Sequence, residues 1–359
     1  MRLRVGVVGG GLIAQAMHIP NLFQLDDRFE LAALAEPAET IRERLAARYG
    51  IPAVYADHRR LLEDDLDAVV VCSPSATHVG AVLDALDAGL HVFVEKPLCI
   101  TLADADAIVT ARDAAGRVVQ VGYMKRFDPA FERLVAELPT DAALLRYVRV
   151  VVNDPEFVPY FGADEIVRGE VPAQVVEETK QIEREQVEAA VGRADSEVVT
   201  AFVDGYLGSL VHDVNVVHGA LERLGLVLPA PVADAAWWAG GTALTGSVQL
   251  PDGVRWDSAW IQLLELREYR ESVTFVFADS IRSLEFPSPW LRQSPTRYER
   301  SGADRAARVA TSFESAEEAF VRELVHFHDC VATGATCRTP PEQARVDIAV
   351  LTDMFLAAA

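Results

Sequence analysis

Lysine is scarce in this chain. Of 33 basic residues only three are lysine, Lys96, Lys125 and Lys180, and the other 30 are arginine. Basic residues are also outnumbered by 54 acidic ones, leaving a net charge of -21 and a pI near 4.8. A surface of that sign repels phosphate backbones and argues against a nucleic-acid partner. The four cysteines, Cys72, Cys99, Cys330 and Cys337, are scattered rather than spaced as a disulfide framework. Their pattern fits a reduced, cytoplasmic setting. No window has the apolar length of a membrane span, so no membrane partner is expected. "MRLRVGVVGGGLIAQ" lacks a small-residue cleavage pattern and reads as a strand and glycine loop rather than a signal peptide. There are no internal repeats or low-complexity tracts. What remains is an ordinary globular composition, 50% hydrophobic and 24% charged, over 359 residues, enough for two domains.

Scarcity makes the surviving lysines informative. An ammonium loses its proton when desolvated, and a guanidinium does not. A lysine retained in an arginine-rich chain is a candidate for chemistry.

The first third alternates short apolar strands, such as "LRVGVVG", "FELAALAE", "LDAVVVCS", "HVFVEKP" and "VVQVGYM", with helical segments. That pattern predicts a parallel sheet covered on both faces. After about Phe127 it changes. A long strand, "LLRYVRVVVND", is followed by a polar helix-prone stretch from Ala173 to Val199, a helix around His212, and then strands without intervening helices. Those strands, "ADAAWWAGGTALTGSVQLPDG", "VRWDSAWIQLLEL", "ESVTFVFADS" and "SIRSLEF", predict an open, mainly antiparallel sheet. Two helices close the chain. The expected fold class is α/β: a Rossmann domain over residues 1–123 and an α+β domain over 124–359 for substrate binding and oligomerisation. An open sheet must hide its second face. The expected cover is another subunit, giving a homodimer or homotetramer.

"GGGLIA" fits G-x-G-x-x-A at Gly9, Gly11 and Ala14. Gly9 permits the tight turn after the strand, Gly11 lets the backbone approach a pyrophosphate, and Ala14 keeps helix and sheet close. Leu12 and Ile13 open the helix, whose free N–H groups and positive dipole end face the phosphates. Glu36 closes the second strand, 22 residues after Ala14. An acidic residue there bonds ribose hydroxyls and repels a 2′-phosphate, so NAD is expected over NADP.

At "FVEKPL" the chain resembles the glucose–fructose oxidoreductase / inositol dehydrogenase (Gfo/Idh/MocA) family. The residues carrying the resemblance are "VGVVGGGLIA" with "HIP", "VVVCSPSATHVGAVLDALDAGLHVFVEKPL", "VGYMKRFDPAF" and "HFHDCVATG". It covers the first 135 residues and the closing helices and is thin from Pro155 to Val203. It implies an NAD-dependent dehydrogenase acting on the CH–OH group of a sugar, cyclitol or related polyol. It also implies that Ser73 and Pro74 meet the nicotinamide ribose, with His78 beside them. Glu95 and Lys96 match the family's E-K, with Lys96 next to the nicotinamide C4 and the substrate hydroxyl. Pro97 holds Lys96 extended at the strand end. Met124 and Lys125 border the substrate by the same resemblance, and Asn153 and Ser209 join them as substrate candidates.

"GSLVHDVNVVH" matches the family's catalytic helix at His212. In the inositol dehydrogenase branch an aspartate stands one helical turn before that histidine. Here the position is Gly208, and the usual aspartate three residues later is Asn215. Ser209 is the near polar neighbour. Three readings stay open: a dehydrogenase whose substrate, Ser209 or Lys125 supplies the missing polar group; an NAD-dependent glycosidase or lyase using transient oxidation; and an inactive, sensor-like NAD-binding protein. No metal site is expected. His326 and Cys330 sit at i, i+4, but their segment matches the family's core helix.

Overall fold

The structure is a computed structural model that describes all residues except 156–160, 162–164, 293, 305, 306 and 359. Part of the thinly resembling stretch therefore lies outside the described residues. The chain forms two compact units. The first comprises Met1–Tyr123, Phe161–Ala190 and Phe320–Arg345; the second comprises Met124–Tyr160, Val191–Ala319 and Val346–Ala359. A single cut after residue 123 therefore does not describe the chain, because segments 161–190 and 320–345 return to the first unit.

The first unit is built on six parallel strands: β1 (Leu3–Val8), β2 (Phe29–Ala35), β3 (Ala53–Tyr55), β4 (Ala68–Val71), β5 (His91–Glu95) and β6 (Val119–Gly122). Their order is β3-β2-β1-β4-β5-β6, which reverses between β1 and β4. Helices α1 (Ile19–Gln24), α2 (Glu39–Tyr49), α3 (His58–Leu61), α4 (Ser75–Asp87) and α5 (Leu102–Ala115) connect them. A π-type turn, Ala14–His18, leads into α1, which carries Pro20 in its first turn. Pro20 lies inside the continuous helical run from residue 12 to 24, and the π-type turn just before it accommodates the amide hydrogen bond that proline cannot make. The core joins Leu3, Val5, Val7, Val70 and Phe93 to Leu324 and Phe327. Those last two lie on a late helix, Ala319–Thr333, which explains why 320–345 belongs to this unit. A long exposed helix, Ala173–Val191, also belongs to it up to Ala190.

The second unit opens with Pro129–Glu137, α6, and β7 (Leu145–Pro155). The long helix just described is α7, and a short α8 (Ser196–Val199) leads into a π-helix, Thr200–Leu210, continuous with α9 (Val211–Arg223). Seven more strands follow: β8 (Val232–Trp238), β9 (Ala243–Gln249), β10 (Arg255–Leu263), β11 (Arg270–Phe277), β12 (Ser280–Phe286), β13 (Arg297–Asp304) and β14 (Ala307–Glu314). The late helix Ala319–Thr333 is α10, and α11 (Pro341–Ala357) ends the chain. The eight strands run β14-β13-β12-β11-β7-β10-β9-β8. Every pairing is antiparallel except β10 with β7.

Three details differ from the sequence reading. The "ADAAWWAGGTALTGSVQ" run is two strands, turned by Gly240 and Gly241 at φ 67° and 90°, a region that favours glycine. Strands β13 and β14 carry little apolar alternation and were not expected. The helix before His212 follows π rather than α periodicity.

One face of this sheet packs under helices. Gly205 of the π-helix sits over Leu244 and Trp260, and Phe355 of α11 stacks against Trp237 and meets Phe202. The other face carries Arg149, Val151, Asp257, Ala259, Ser272 and Thr274, which are exposed or half-buried and aligned in register. Among the described residues no helix is long and apolar enough to cross a membrane.

Gly208 is part of the π-helix packing. A Cβ added there would lie 2.8 Å from the Val203 carbonyl oxygen. Backbone cannot yield as a flexible side chain does, so Gly208→Ala is expected to cost about 1–3 kcal/mol, read as a lower denaturant midpoint. An unchanged midpoint would mean that this turn is not packed as described.

Candidate active site

In the first unit the cofactor-type residues converge at the carboxyl ends of the strands. Gly9, at φ 95°, follows β1 at the point where the strand order reverses. A Cβ on it would meet Ser73 N at 2.7 Å and the Cys72 carbonyl at 2.8 Å, so only glycine lets the β1 and β4 loops touch. A Cβ on Gly11 would meet nothing within 4 Å. The two glycines thus do different work. Gly9 serves the fold, and Gly11 leaves bare backbone beside open space at the start of the helix opened by Leu12 and Ile13. That is the cradle a pyrophosphate requires.

Glu36 is buried, and both of its carboxylate oxygens are engaged. Oε2 accepts from the Gly10 N–H and Oε1 from the Ala38 N–H, each at 2.8 Å. Each oxygen keeps a further lone pair for a ribose hydroxyl. The glycine loop is held from its other side by Gln15, whose Nε2 donates to the Gly10 carbonyl at 2.7 Å.

His78 is buried, with its Nδ1 2.8 Å from the Pro97 carbonyl and its Nε2 2.8 Å from the Ser73 carbonyl. Burial lowers its pKa, against the pull of those carbonyls. It was expected beside the cofactor. Both ring nitrogens face carbonyls, so a neutral ring donates to one of them at a time, and the side chain sits between the Ser73–Pro74 loop and the strand end that carries Lys96. The Lys96–Pro97 peptide is cis. The Lys96 N–H donates to Glu95 Oε2 at 3.1 Å, and Glu95 Oε1 lies 2.5 Å from His18 Nε2. His18, Glu95 and the buried Glu323 bring ligand-type atoms within 4.8 Å of one another. The "HIP" and E-K-P segments carry no sign of this cluster in sequence, because Glu323 arrives from α10.

In the second unit the expected substrate residues differ in burial and in partners. Met124 and Lys125 are buried, at 5% exposure each. The Lys125 ammonium pairs with Glu271, lies 3.7 Å from Asp213 and sits 4.8 Å from the Phe286 ring centre. A buried positive charge needs such partners, so Lys125 serves the ion network rather than presenting a free ammonium. Tyr269 donates to the other oxygen of Glu271 at 2.5 Å. Ser209, His212 and Asn153 are half-buried. The Ser209 hydroxyl donates to Asp154 Oδ2 at 3.0 Å, and Trp260 Nε1 lies 3.4 Å from the same oxygen.

A carboxylate therefore does reach the neighbourhood of the His212 helix, but from β7. Gly208 is not a vacancy awaiting an aspartate, since the π-turn places a carbonyl where its side chain would start. Asn215 is committed elsewhere. Its Nδ2 donates to Asp347 Oδ2, and His218 Nδ1 lies beside Asp347 Oδ1, both at 2.7 Å. Asp154, Glu271, Tyr269 and Asp347 were missed because strands and helices distant in sequence deliver them.

These features define an oxidoreductase-type dinucleotide unit joined to an α+β unit. Residues 3–123 match the family model GFO_IDH_MocA, described as an oxidoreductase family with an NAD-binding Rossmann fold. The match spans about a third of the chain and makes the parallel-sheet unit similar to an NAD-binding Rossmann oxidoreductase family. Among its relatives, the myo-inositol 2-dehydrogenase of Thermotoga maritima is 28% identical over 241 residues, 62% of this chain and 72% of that one. The inositol 2-dehydrogenase of Paracoccus denitrificans is 39% identical over 151 residues, 40% of this chain and 44% of that one. The UDP-N-acetylglucosamine 3-dehydrogenase of Acidithiobacillus ferrooxidans shares the fold over 100% of this chain and 98% of that one, with a TM-score of 0.73 at 18% identity. The scyllo-inositol dehydrogenase of Lactobacillus casei, solved with NAD(H) and scyllo-inositol, shares it over 99% and 97% with a TM-score of 0.70 at 15% identity.

Asp213 supplies a pH test of the ion network. Burial raises its pKa to about 6, against the lowering pull of Lys125. A carboxyl with a higher pKa folded than unfolded favours the fold while protonated. That contribution is full below about pH 4 and is lost as pH rises through the folded value. Asp213→Asn should therefore gain on the native protein between about pH 4 and pH 7, by an amount on the order of 3 kcal/mol. Urea unfolding at the two pH values checks this, and parallel stability curves would show that Asp213 is not held charged in a dry site.

Proposed function

We propose that the protein is an NAD-dependent dehydrogenase that moves hydride between the nicotinamide and a carbinol carbon of a cyclitol, sugar or related polyol. The observation that carries this reading is the convergence of the Glu36-pinned glycine loop, the Ser73–Pro74 loop and the Lys96 strand end at one edge of the parallel sheet. The inositol dehydrogenases among its relatives support the substrate class. The buried charge of Glu36 supports NAD over NADP, since a 2′-phosphate would meet a carboxylate already fixed by two backbone amides.

Bound NAD would supply the hydride acceptor. Lys96 is the first unit's candidate for polarising the alcohol oxygen and His212 the second unit's candidate for accepting a proton, in an oxidation whose carbon–hydrogen cleavage leaves a ketone. Asp154, through Ser209, is the carboxylate that substitutes for the absent helical aspartate. Four free thiols support a reducing, cytoplasmic setting. A second reading, cofactor binding without turnover, is favoured only by Gly208 standing where the family's aspartate is expected.

A screen of polyols and keto-sugars with NAD and NADP, followed by absorbance of the reduced cofactor, tests the assignment. Turnover with NAD in preference to NADP is expected. Lys96→Ala should abolish it while NAD still binds, and His212→Ala should lower it by about 10²–10⁴. Near-normal activity in Lys96→Ala would rule out this chemistry, and a wild-type protein that binds NAD yet turns over nothing in the screen would favour the second reading.

We further propose that the helix-free face of the eight-stranded sheet pairs with a second copy of the chain. Its in-register row of half-buried Val151, Ala259, Ser272 and Thr274 supports this. Light scattering at micromolar concentration should report a dimer or tetramer, and a monomer would refute the pairing.

A further inference from the structure

The thinly resembling segment holds an unassigned feature of the first unit. At one end, Val167 exchanges two hydrogen bonds with Gln15. Its N–H donates to Oε1 at 2.8 Å, and its carbonyl accepts from Nε2 at 3.1 Å. The same Gln15 amide holds the Gly10 carbonyl, so Val167 is tied directly to the glycine loop. Beside it, the Arg48 guanidinium on α2 donates to the Glu165 carbonyl. Gly169 lies so close to Ile41 of α2 that a Cβ would come within 2.9 Å of its side chain. At the other end, Gln186 Nε2 of α7 donates to the Ala76 carbonyl in the first turn of α4 at 3.1 Å, and Val187 is fully buried.

Sheet topology shows what lies between these two landings. The order β3-β2-β1-β4-β5-β6 progresses in opposite directions from β1 and from β4. Right-handed crossovers then place α1 and α2 on one face of the sheet and α4 on the other. A segment anchored on α2 and the glycine loop, and again on the first turn of α4, must cross from face to face. Both anchors are at the carboxyl edge, so the crossing passes over the reversal point between β1 and β4. In open α/β sheets that crevice is where a dinucleotide lies. The run from Ala173 to Gln186 is about 20 Å long as helix, enough to make the crossing. Its half-buried stripe, Val175, Thr179, Glu183 and Gln186, recurs at helical spacing while the opposite side is exposed.

We propose that residues 165–191 form a strap across the cofactor crevice, so that the dinucleotide enters and leaves only when the Gln186 end lifts. The Val167 end is the fixed one, since it shares Gln15 with the glycine loop and packs with Ile41 and Leu45. Among the described residues, the Gln186 end shows a side-chain hydrogen bond to the Ala76 carbonyl and the buried Val187. The proposal rests on nicotinamide cofactor binding by this unit.

Two measurements test it. In the first, NADH release and uptake are followed by stopped-flow fluorescence in the native protein and in Gln186→Ala/Val187→Ala, which leaves the glycine loop untouched. A gate changes both rates together, so release and uptake should each rise by about tenfold with little change in Kd. Unchanged rates, or faster release with unaltered uptake, would overturn the strap, the latter reducing it to an ordinary contact. The second uses the native protein alone and so does not depend on the variant folding. Lys180 and Arg184 on the exposed side of α7 are trypsin sites, and saturating NADH should slow cleavage at both several-fold. Cleavage indifferent to NADH would also overturn the strap. Absence of any NADH binding would overturn both this proposal and the proposed function, whereas binding with an indifferent α7 would overturn this one alone.

Discussion

The cofactor edge of the first unit depends on Gly9 having no side chain. The loops after β1 and β4 meet at the place where the strand order reverses, and their backbones come closer than any Cβ allows. That contact sets where Ser73 lies, and Ser73 in turn sets the carbonyl that His78 faces. The other ring nitrogen of His78 faces the Pro97 carbonyl, so the ring packs between the Ser73 loop and the Lys96 strand end. On the opposite side Glu36 secures the glycine loop by two amides. A chain of short polar contacts thus runs from β2 to β5, and its members other than the half-buried Ser73 are buried, where an unmade hydrogen bond costs most.

The second unit is organised differently. Its buried ionisable residues are grouped: Lys125, Glu271 and Asp213 in one cluster, and His218 with Asp347 in another. Such groups stabilise only when their partners are complete, and removing one member leaves an uncompensated charge. Arg126 adds a third case. Its guanidinium occupies the space that a side chain at Gly219 would fill, and it donates to the Asn215 carbonyl and to Glu222. Two consecutive cations, Lys125 and Arg126, therefore anchor α9 from within, which fixes the helix that presents His212. The π-helix before it shifts the register by which α periodicity would relate residues 208 and 212, and this is why arguing from a missing aspartate one turn back misleads. The polar contact in this part of the chain is built sideways, from Asp154 on β7 to Ser209.

Local pattern was enough for the Rossmann half. Strand–helix alternation, G-x-G-x-x-A, Glu36 at a strand end and E-K-P are short-range features, and each element they imply is present at or near its expected position. The antiparallel sheet was legible as far as its apolar alternation reached, through "SIRSLEF", and was lost at β13 and β14, whose residues are largely polar. The glycine turn dividing β8 from β9 was written in the sequence as "AGG" and read through.

The amino-acid sequence by itself determined the class of chemistry, because the residues that cradle a dinucleotide are contiguous and their spacing follows from strand and helix geometry. Only the tertiary structure decided which side chains are available. Lys125 passes from substrate candidate to buried ion partner because Glu271 lies 146 residues away in sequence and against it in space. His78 passes from cofactor neighbour to a ring packed between loop and strand end because Pro97 and Ser73 both return to it. Segments 161–190 and 320–345 join the first unit although their composition does not mark them for it. The physical reason is common to all three. A local signal states what a residue can do, and burial and partners brought from distant segments decide whether it is free to do it.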